Sequence, residues 1–327
     1  MISRDRREFP GPGSGPPLLP PAELARRATA ALRRVSRPSG FPWTAPTWPS
    51  TLPLPEPERR TGADYDTEWS RRYGVRVARA FLLEGVARPV VHAVIPPTVE
   101  GLDRIDALEG PAIFAANHSS HLDTPLLLTS MPRRFRHRTV VVGGADYFFD
   151  TRWKGALWSF TLAAIPIDRT RVSRRAVDLP ASLLQDGWNV VIYPEGGRSP
   201  DGWAQRFTGG AAYLATRTGV PIVPVHISGT SAALPKGGRR LRPGRTGVSF
   251  GRPLAPAEGE EARRLAARLE AEVAALADER TTDWWRARQR AGAGQTPALT
   301  GPDVADWRRQ WARPDERRRR TERPWPL

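Results

Sequence analysis

Between Asn117 and Asp123 the sequence reads Asn-His-Ser-Ser-His-Leu-Asp, which sets two of the chain's five histidines beside a carboxylate. On a continuous α-helix, at about 100° per residue, His118 and Asp123 would sit roughly 140° apart and could not touch. One of the two must therefore lie in a loop or a first turn, as a strand, a sharp turn and then a helix would provide. Asp123 can then accept a hydrogen bond from one imidazole nitrogen and fix the tautomer, leaving the other nitrogen as a base for an alcohol proton. A lone histidine here would read as a structural cap on the helix beginning Leu-Asp-Thr-Pro; Asn117, His118 and Asp123 together at a strand end read as chemistry. His118, His121 and Asp123 are also metal-ligand types, so a metal-dependent phosphoesterase is an alternative reading. Against it, no second histidine–carboxylate cluster is present, and no metal is expected.

A second cluster, Tyr193-Pro-Glu-Gly-Gly-Arg-Ser199, also begins where an apolar run ends. Its two glycines allow close backbone approach, so the N–H groups of Gly196 and Gly197 are candidates for a phosphate or a developing oxyanion. Glu195 either holds Arg198 or an acceptor hydroxyl, or forms a structural salt bridge. Several catalytic classes are excluded outright. The chain has no cysteine and hence no thiolate nucleophile, no G-x-S-x-G elbow, and neither of its lysines, Lys154 and Lys236, follows a phosphate-loop glycine pattern.

The elements that would carry these clusters follow from hydrophobic patterning. The runs AIFAAN, TVVVGG, NVVIYP and VPIVPVHI read as buried strands that alternate with helical stretches from about residue 98 to 280. The expected fold class is α/β, a largely parallel central sheet with helices on both faces and its chemistry at the carboxyl ends of the strands. Residues 1–60 hold 13 of the 34 prolines and read as a disordered arm with one helical island, PAELARRATAALRRVS. Residues 61–97 form an amphipathic helical lead-in. Its Val77, Phe81 and Leu82 face one way and Arg72, Arg76 and Arg79 recur on the other, fitting a helix packed on the domain or one lying on a bilayer. Residues 281–327 are a Trp- and Arg-rich tail with five of the twelve tryptophans.

The net charge of +16 comes from 50 basic against 34 acidic residues, almost all of the basic ones arginine. Such a surface attracts polyanions, and in the tail Trp307, Trp311 and Arg317–Arg320 suit lipid headgroups or, as a non-catalytic alternative, stacked bases. No segment reads as a membrane span, the run Gly155–Ile167 being too short, and the N-terminus lacks the apolar stretch of a secretory signal.

These blocks resemble the glycerolipid acyltransferases, the family containing the 1-acylglycerol-3-phosphate acyltransferases. Asn117–Asp123 is similar to that family's N-H-x-x-x-x-D motif, Ala164–Arg169 (AIPIDR) to its second, Tyr193–Ser199 to its third and Val220–Gly229 (VPIVPVHISG) to its fourth. The likeness spans roughly residues 90–255. Tyr193 stands where phenylalanine is common and Gly197 where threonine is common. The resemblance implies an O-acyltransferase that moves a fatty acyl group from acyl-CoA or acyl carrier protein, a co-substrate rather than a cofactor, to a lysophospholipid hydroxyl, 1-acyl-glycerol-3-phosphate first among them. It makes His118 and Asp123 catalytic and assigns Asn117, Arg169, Glu195, Gly196, Gly197, Arg198 and Ser199 to substrate binding. Its expected setting is the inner face of the cell membrane, an anionic surface met from the cytoplasm, with no nucleic-acid partner.

Overall fold

The computed structural model describes residues 62–168 and 177–304. The proline-rich arm with its helical island, Arg169, and the tail residues Trp307, Trp311 and Arg317–Arg320 lie outside them. Seven strands, β1 (Pro97–Glu100), β2 (Ile113–Ala116), β3 (Thr139–Gly144), β4 (Ala164–Ile167), β5 (Asn189–Ile192), β6 (Ile222–Ser228) and β7 (Thr246–Phe250), form one sheet. Their order is β1-β7-β6-β2-β5-β3-β4. All pairings are parallel except β6 with β7. The four strands read from the sequence are present; β1, β4 and β7 are additional. β4 was hidden inside the apolar run Gly155–Ile167, whose first part is helical. That helix ends at Ala163, the one non-glycine residue with positive φ (52°) among those described, and the left-handed turn starts the strand.

Period-two alternation divides the strands between two cores. Ile113, Ala115, Val190 and Ile192 face one way, against helices α5 (Asp178–Gln185), α6 (Gly210–Thr218) and α7 (Ala262–Thr281), which follow α1–α4 in chain order. Phe114, Ala116, Val191, Val223 and Val225 face the other way, against α2 (Arg88–Val94) and α3 (Asp123–Ser130). Both faces are covered, which is why the strands are apolar throughout rather than alternating with polar residues. Segments beyond the alternating region join the same packing: Val91 and Ile95 lie in the core, and Ala287 of α8 (Trp284–Gly292) is buried.

Helix α1 (Tyr73–Leu82) and helix α4 (Arg152–Leu162) show an inversion of the expected pattern. Arg79, anticipated on the polar face, is 6% exposed, while Tyr73 and Phe81 are 79% and 74% exposed. The guanidinium of Arg79 donates to the carbonyls of Ser70, Ser159 (3.0 Å) and Phe160 (2.6 Å). Its pKa is lowered to about 10, first by burial and then by Arg76 and Arg71. Three backbone carbonyls substitute for water, so the buried arginine fastens α1 to the end of α4. Replacing it by leucine leaves those acceptors without donors, and a buried polar group left unpaired costs roughly 1–3 kcal/mol. Arg79→Leu is therefore expected to lower the unfolding free energy by about 2 kcal/mol or more, read from the denaturant midpoint; an unchanged midpoint would show that the fastening is dispensable.

Candidate active site

The strand–turn–helix arrangement holds at the first cluster. β2 ends at Ala116, residues 117–122 form a turn, and Asp123 is the first residue of α3. Nδ1 of His118 lies 2.9 Å from Oδ2 of Asp123, whose side chain is fully buried. The same oxygen accepts the backbone N–H groups of Ser119 (2.7 Å) and Ser120 (2.8 Å), so the carboxylate organises the loop as well as the ring. The ring of His118 stacks on Tyr193 with centroids 4.1 Å apart and planes 21° from parallel. Tyr193 is itself fixed by a 2.9 Å hydrogen bond between its hydroxyl and that of Thr124 on α3. The hydroxyl that distinguishes Tyr193 from phenylalanine is thus used to orient the imidazole, and burial raises its pKa strongly.

Glu195 holds neither Arg198 nor an open cavity position. It is 7% exposed, and its two carboxylate oxygens accept separate backbone amides, His118 N–H at 2.7 Å and Gln205 N–H at 2.8 Å. Burial pushes its carboxyl up to about 7, against the pull of those two amides. Asn117 also turns inward. Its carboxamide donates to Ile227 O (2.9 Å) and accepts from Ile227 N–H (2.7 Å), continuing the β2–β6 pairing past the end of the strand. Ser199 is 2% exposed; its N–H donates to His118 O at 2.8 Å and its hydroxyl accepts from Gly202 N–H at 2.7 Å. Asn117, Glu195 and Ser199, expected at the substrate, are here engaged within the protein. Their partners are backbone groups, with the Ser199 hydroxyl also donating to Asp201 Oδ1 at 3.3 Å, and Glu195 and Ser199 hold the backbone of His118.

Gly196, Gly197 and Arg198 border a cavity of about 710 Å3 that His118 also lines, a size suited to a sizeable ligand. Val142, Leu162, Ala164, Ile167 and Ile192 give it an apolar wall; Arg198 and Lys236 are cationic lining groups. Gly196 adopts φ +72° and spends its N–H on Tyr193 O at 3.1 Å. That closes the turn and leaves Gly197 as the residue of the pair whose N–H is uncommitted. The Arg198 guanidinium lies 5.8 Å from the ring centre of Tyr147, and the Tyr147 hydroxyl meets Nε2 of His121 at 2.9 Å. His121 has its pKa lowered to about 4, by burial first and Arg198 next, and is neutral near pH 7. His118 and His121 thus point their nitrogens at different partners, Asp123 and Tyr147. Among the described residues no three histidine, cysteine or acidic side chains are grouped to hold a metal. Thr124, Tyr147 and Lys236 are further residues of the cavity that spacing alone did not reveal; each comes from a different element, and only the folded chain gathers them.

A family model described as Acyltransferase matches residues 96–228. The chain is 32% identical over 142 residues to 1-acyl-sn-glycerol-3-phosphate acyltransferase LPAT1, chloroplastic, of Arabidopsis thaliana, covering 42% of this chain and 38% of the relative. It is 32% identical over 125 residues to 1-acyl-sn-glycerol-3-phosphate acyltransferase beta of Homo sapiens, covering 37% and 43%. The matched stretches span less than half the length of either relative. The crystal structure of the 1-acyl-sn-glycerophosphate (LPA) acyltransferase PlsC from Thermotoga maritima superposes with a TM-score of 0.49 at 25% identity, covering 65% of this chain and 83% of that one.

The raised pKa of Glu195 makes a prediction with a definite sign. A carboxyl whose folded-state pKa lies above its ordinary 4.5 holds its proton more tightly when folded. Its contribution to stability is complete below about pH 4.5 and is lost as pH rises to about 7. Unfolding free energies measured across that window should contain this downward component in the wild type and lack it in Glu195→Gln. Parallel slopes for the two proteins would refute the assignment.

Proposed function

We propose, from the match of residues 96–228 to the Acyltransferase family model, that this chain is a glycerolipid acyltransferase that transfers a fatty acyl group from a thioester donor, acyl-CoA or acyl carrier protein, to the free hydroxyl of 1-acyl-glycerol-3-phosphate. The observation that carries this reading is the 2.9 Å contact between His118 Nδ1 and Asp123 Oδ2 at the rim of a cavity with an apolar wall and cationic groups. With Nδ1–H donated to Asp123, Nε2 is left to take the acceptor's hydroxyl proton as that oxygen attacks the thioester carbonyl. The C–O bond forms, the tetrahedral oxyanion collapses, the C–S bond breaks, and the imidazolium returns its proton to the departing thiolate. The Gly197 N–H is the candidate donor to the oxyanion. No covalent intermediate on the protein is required, consistent with a chain that offers neither cysteine nor a serine elbow. The apolar wall is where acyl chain would lie, and Arg198 is the anchor for phosphate. Arg169 belongs to the same proposed anchor.

The reaction's lipid substrates lie in membranes, and among the described residues no helix is long and apolar enough to cross one. Attachment would be from the surface, at the cytoplasmic face of the cell membrane. Tyr73, Val77 and Phe81 recur every four residues on α1, and Val86 and Val90 continue the exposed apolar stripe. The step from Phe81 to Val86 is five residues, and it spans a π-helical turn, Leu83–Ala87, whose i→i+5 repeat keeps the stripe in line. Arg72 and Arg88 flank it. An apolar ridge edged with arginine is what an anionic bilayer surface accommodates.

Two outcomes are expected. General-base catalysis contributes roughly 10²–10⁴ in rate, so His118→Ala should lose acyl transfer to 1-acyl-glycerol-3-phosphate by about that factor while still binding labelled acyl donor; transfer at the wild-type level would end the proposal. Burying a phenylalanine contributes about 2 kcal/mol, so Phe81→Glu should reduce co-sedimentation with vesicles containing anionic phospholipid by at least roughly tenfold, and unchanged sedimentation would remove α1 from the membrane contact.

A further inference from the structure

Only two of the 50 basic residues are lysines, and their surroundings differ. Lys154 pairs with Asp150 at 2.7 Å one helical turn away. Lys236 lines the cavity that holds His118 and Arg198, and its Nζ donates to the carbonyl oxygen of Arg198 at 3.1 Å. Among the described residues no carboxylate forms an ion pair with either Lys236 or Arg198. An ammonium has three N–H donors, and one is used in holding the two residues together.

Lys236 is carried by a tight turn. Gly238 N–H donates to Pro235 O at 2.9 Å, and Gly237, at the third position, has φ +79°. That positive φ is the requirement of a type II turn, with lysine at its second position. The base of this turn is tied to the catalytic loop at two points. Ser120 Oγ donates to Leu234 O at 2.7 Å, and the hydroxyls of Ser119 and Thr230 meet at 3.0 Å. The serines between His118 and Asp123 thus join the turn of Lys236 to the turn of the imidazole in one hydrogen-bonded frame.

Resting on the acyltransferase reading, we propose that Lys236 is a second cation of the acceptor's phosphate site and that its spacing from His118 selects acceptors bearing a phosphate monoester. Such a monoester carries close to two negative charges at pH 7, more than one guanidinium neutralises. Arg198 offers a planar fork and Lys236 a compact point charge from the opposite loop.

The test compares wild type, Lys236→Gln and Lys236→Arg. Loss of one charge-assisted contact to phosphate should raise KM for 1-acyl-glycerol-3-phosphate roughly tenfold in Lys236→Gln, with a smaller change in kcat and in KM for acyl-CoA. Lys236→Arg should recover part of the loss, and turnover of uncharged monoacylglycerol should be indifferent to both. Calorimetric binding of 1-hexanoyl-glycerol-3-phosphate should weaken by a similar factor. Because that measurement needs no turnover, it decides the phosphate site even if the wild type transfers no acyl group, an outcome that would sink the functional reading alone. An unchanged acceptor KM and affinity overturns the proposal, as does a change confined to KM for acyl-CoA, which would assign Lys236 to the donor's phosphates, or a fall in kcat alone.

Discussion

Everything at the site depends on two buried carboxylates that hold one short loop from opposite sides. Asp123 takes the imidazole and two following amides on a single oxygen; Glu195 takes the amide of His118 itself and, with its other oxygen, that of Gln205. Hydrogen bonds to charged groups contribute roughly 1.5–3 kcal/mol each. Two such acceptors are enough to hold a turn that would otherwise be mobile. The desolvation that raises Glu195 to about 7 is the cost of putting one of them inside the domain. What is gained is an imidazole whose ring direction is set by the fold itself.

The cavity divides its work in the same way. Its apolar wall is supplied by β3, β4 and β5, the strands that continue the sheet away from His118, together with Leu162 at the end of α4. Its cationic groups are supplied by loops: Arg198 follows β5 and Lys236 follows β6. Arg198 lies by the ring of Tyr147, whose hydroxyl meets neutral His121, and among the described residues no carboxylate forms an ion pair with Arg198. Strand-end chemistry in a parallel sheet follows from geometry, because the carboxyl ends of neighbouring strands deliver their loops to one edge.

Helix α1 shows how a polar residue inside permits apolar residues outside. Arg79 binds three carbonyls and anchors the helix to α4, and α4 ends in Leu162, a residue of the cavity wall. The outward stripe from Tyr73 to Val90 is then free of any packing duty within the domain. A charged residue that can satisfy its donors on backbone is cheaper to bury than its formal charge suggests, and that inverts the usual reading of an amphipathic helix.

How much of this was legible in the chain depends on the range of the interaction. The α/β class and strands β2, β3, β5 and β6 were readable because buried β-branched runs and turn residues are local signals. So was the necessity that His118 and Asp123 straddle a loop and a helix start, since it follows from 100° per residue. The strands β1, β4 and β7 were not read, because what makes each a strand is the neighbour that pairs with it. The partners of Asn117, Glu195 and Ser199 were not readable for the same reason, because polar residues in a motif look alike until Ile227 and the backbone of His118 are brought beside them. Which residue types could do the chemistry was fixed by the sequence alone. Which of them face the cavity and which hold the loop was decided only by tertiary contacts between elements dozens of residues apart, because a hydrogen bond is specified by where both of its ends lie.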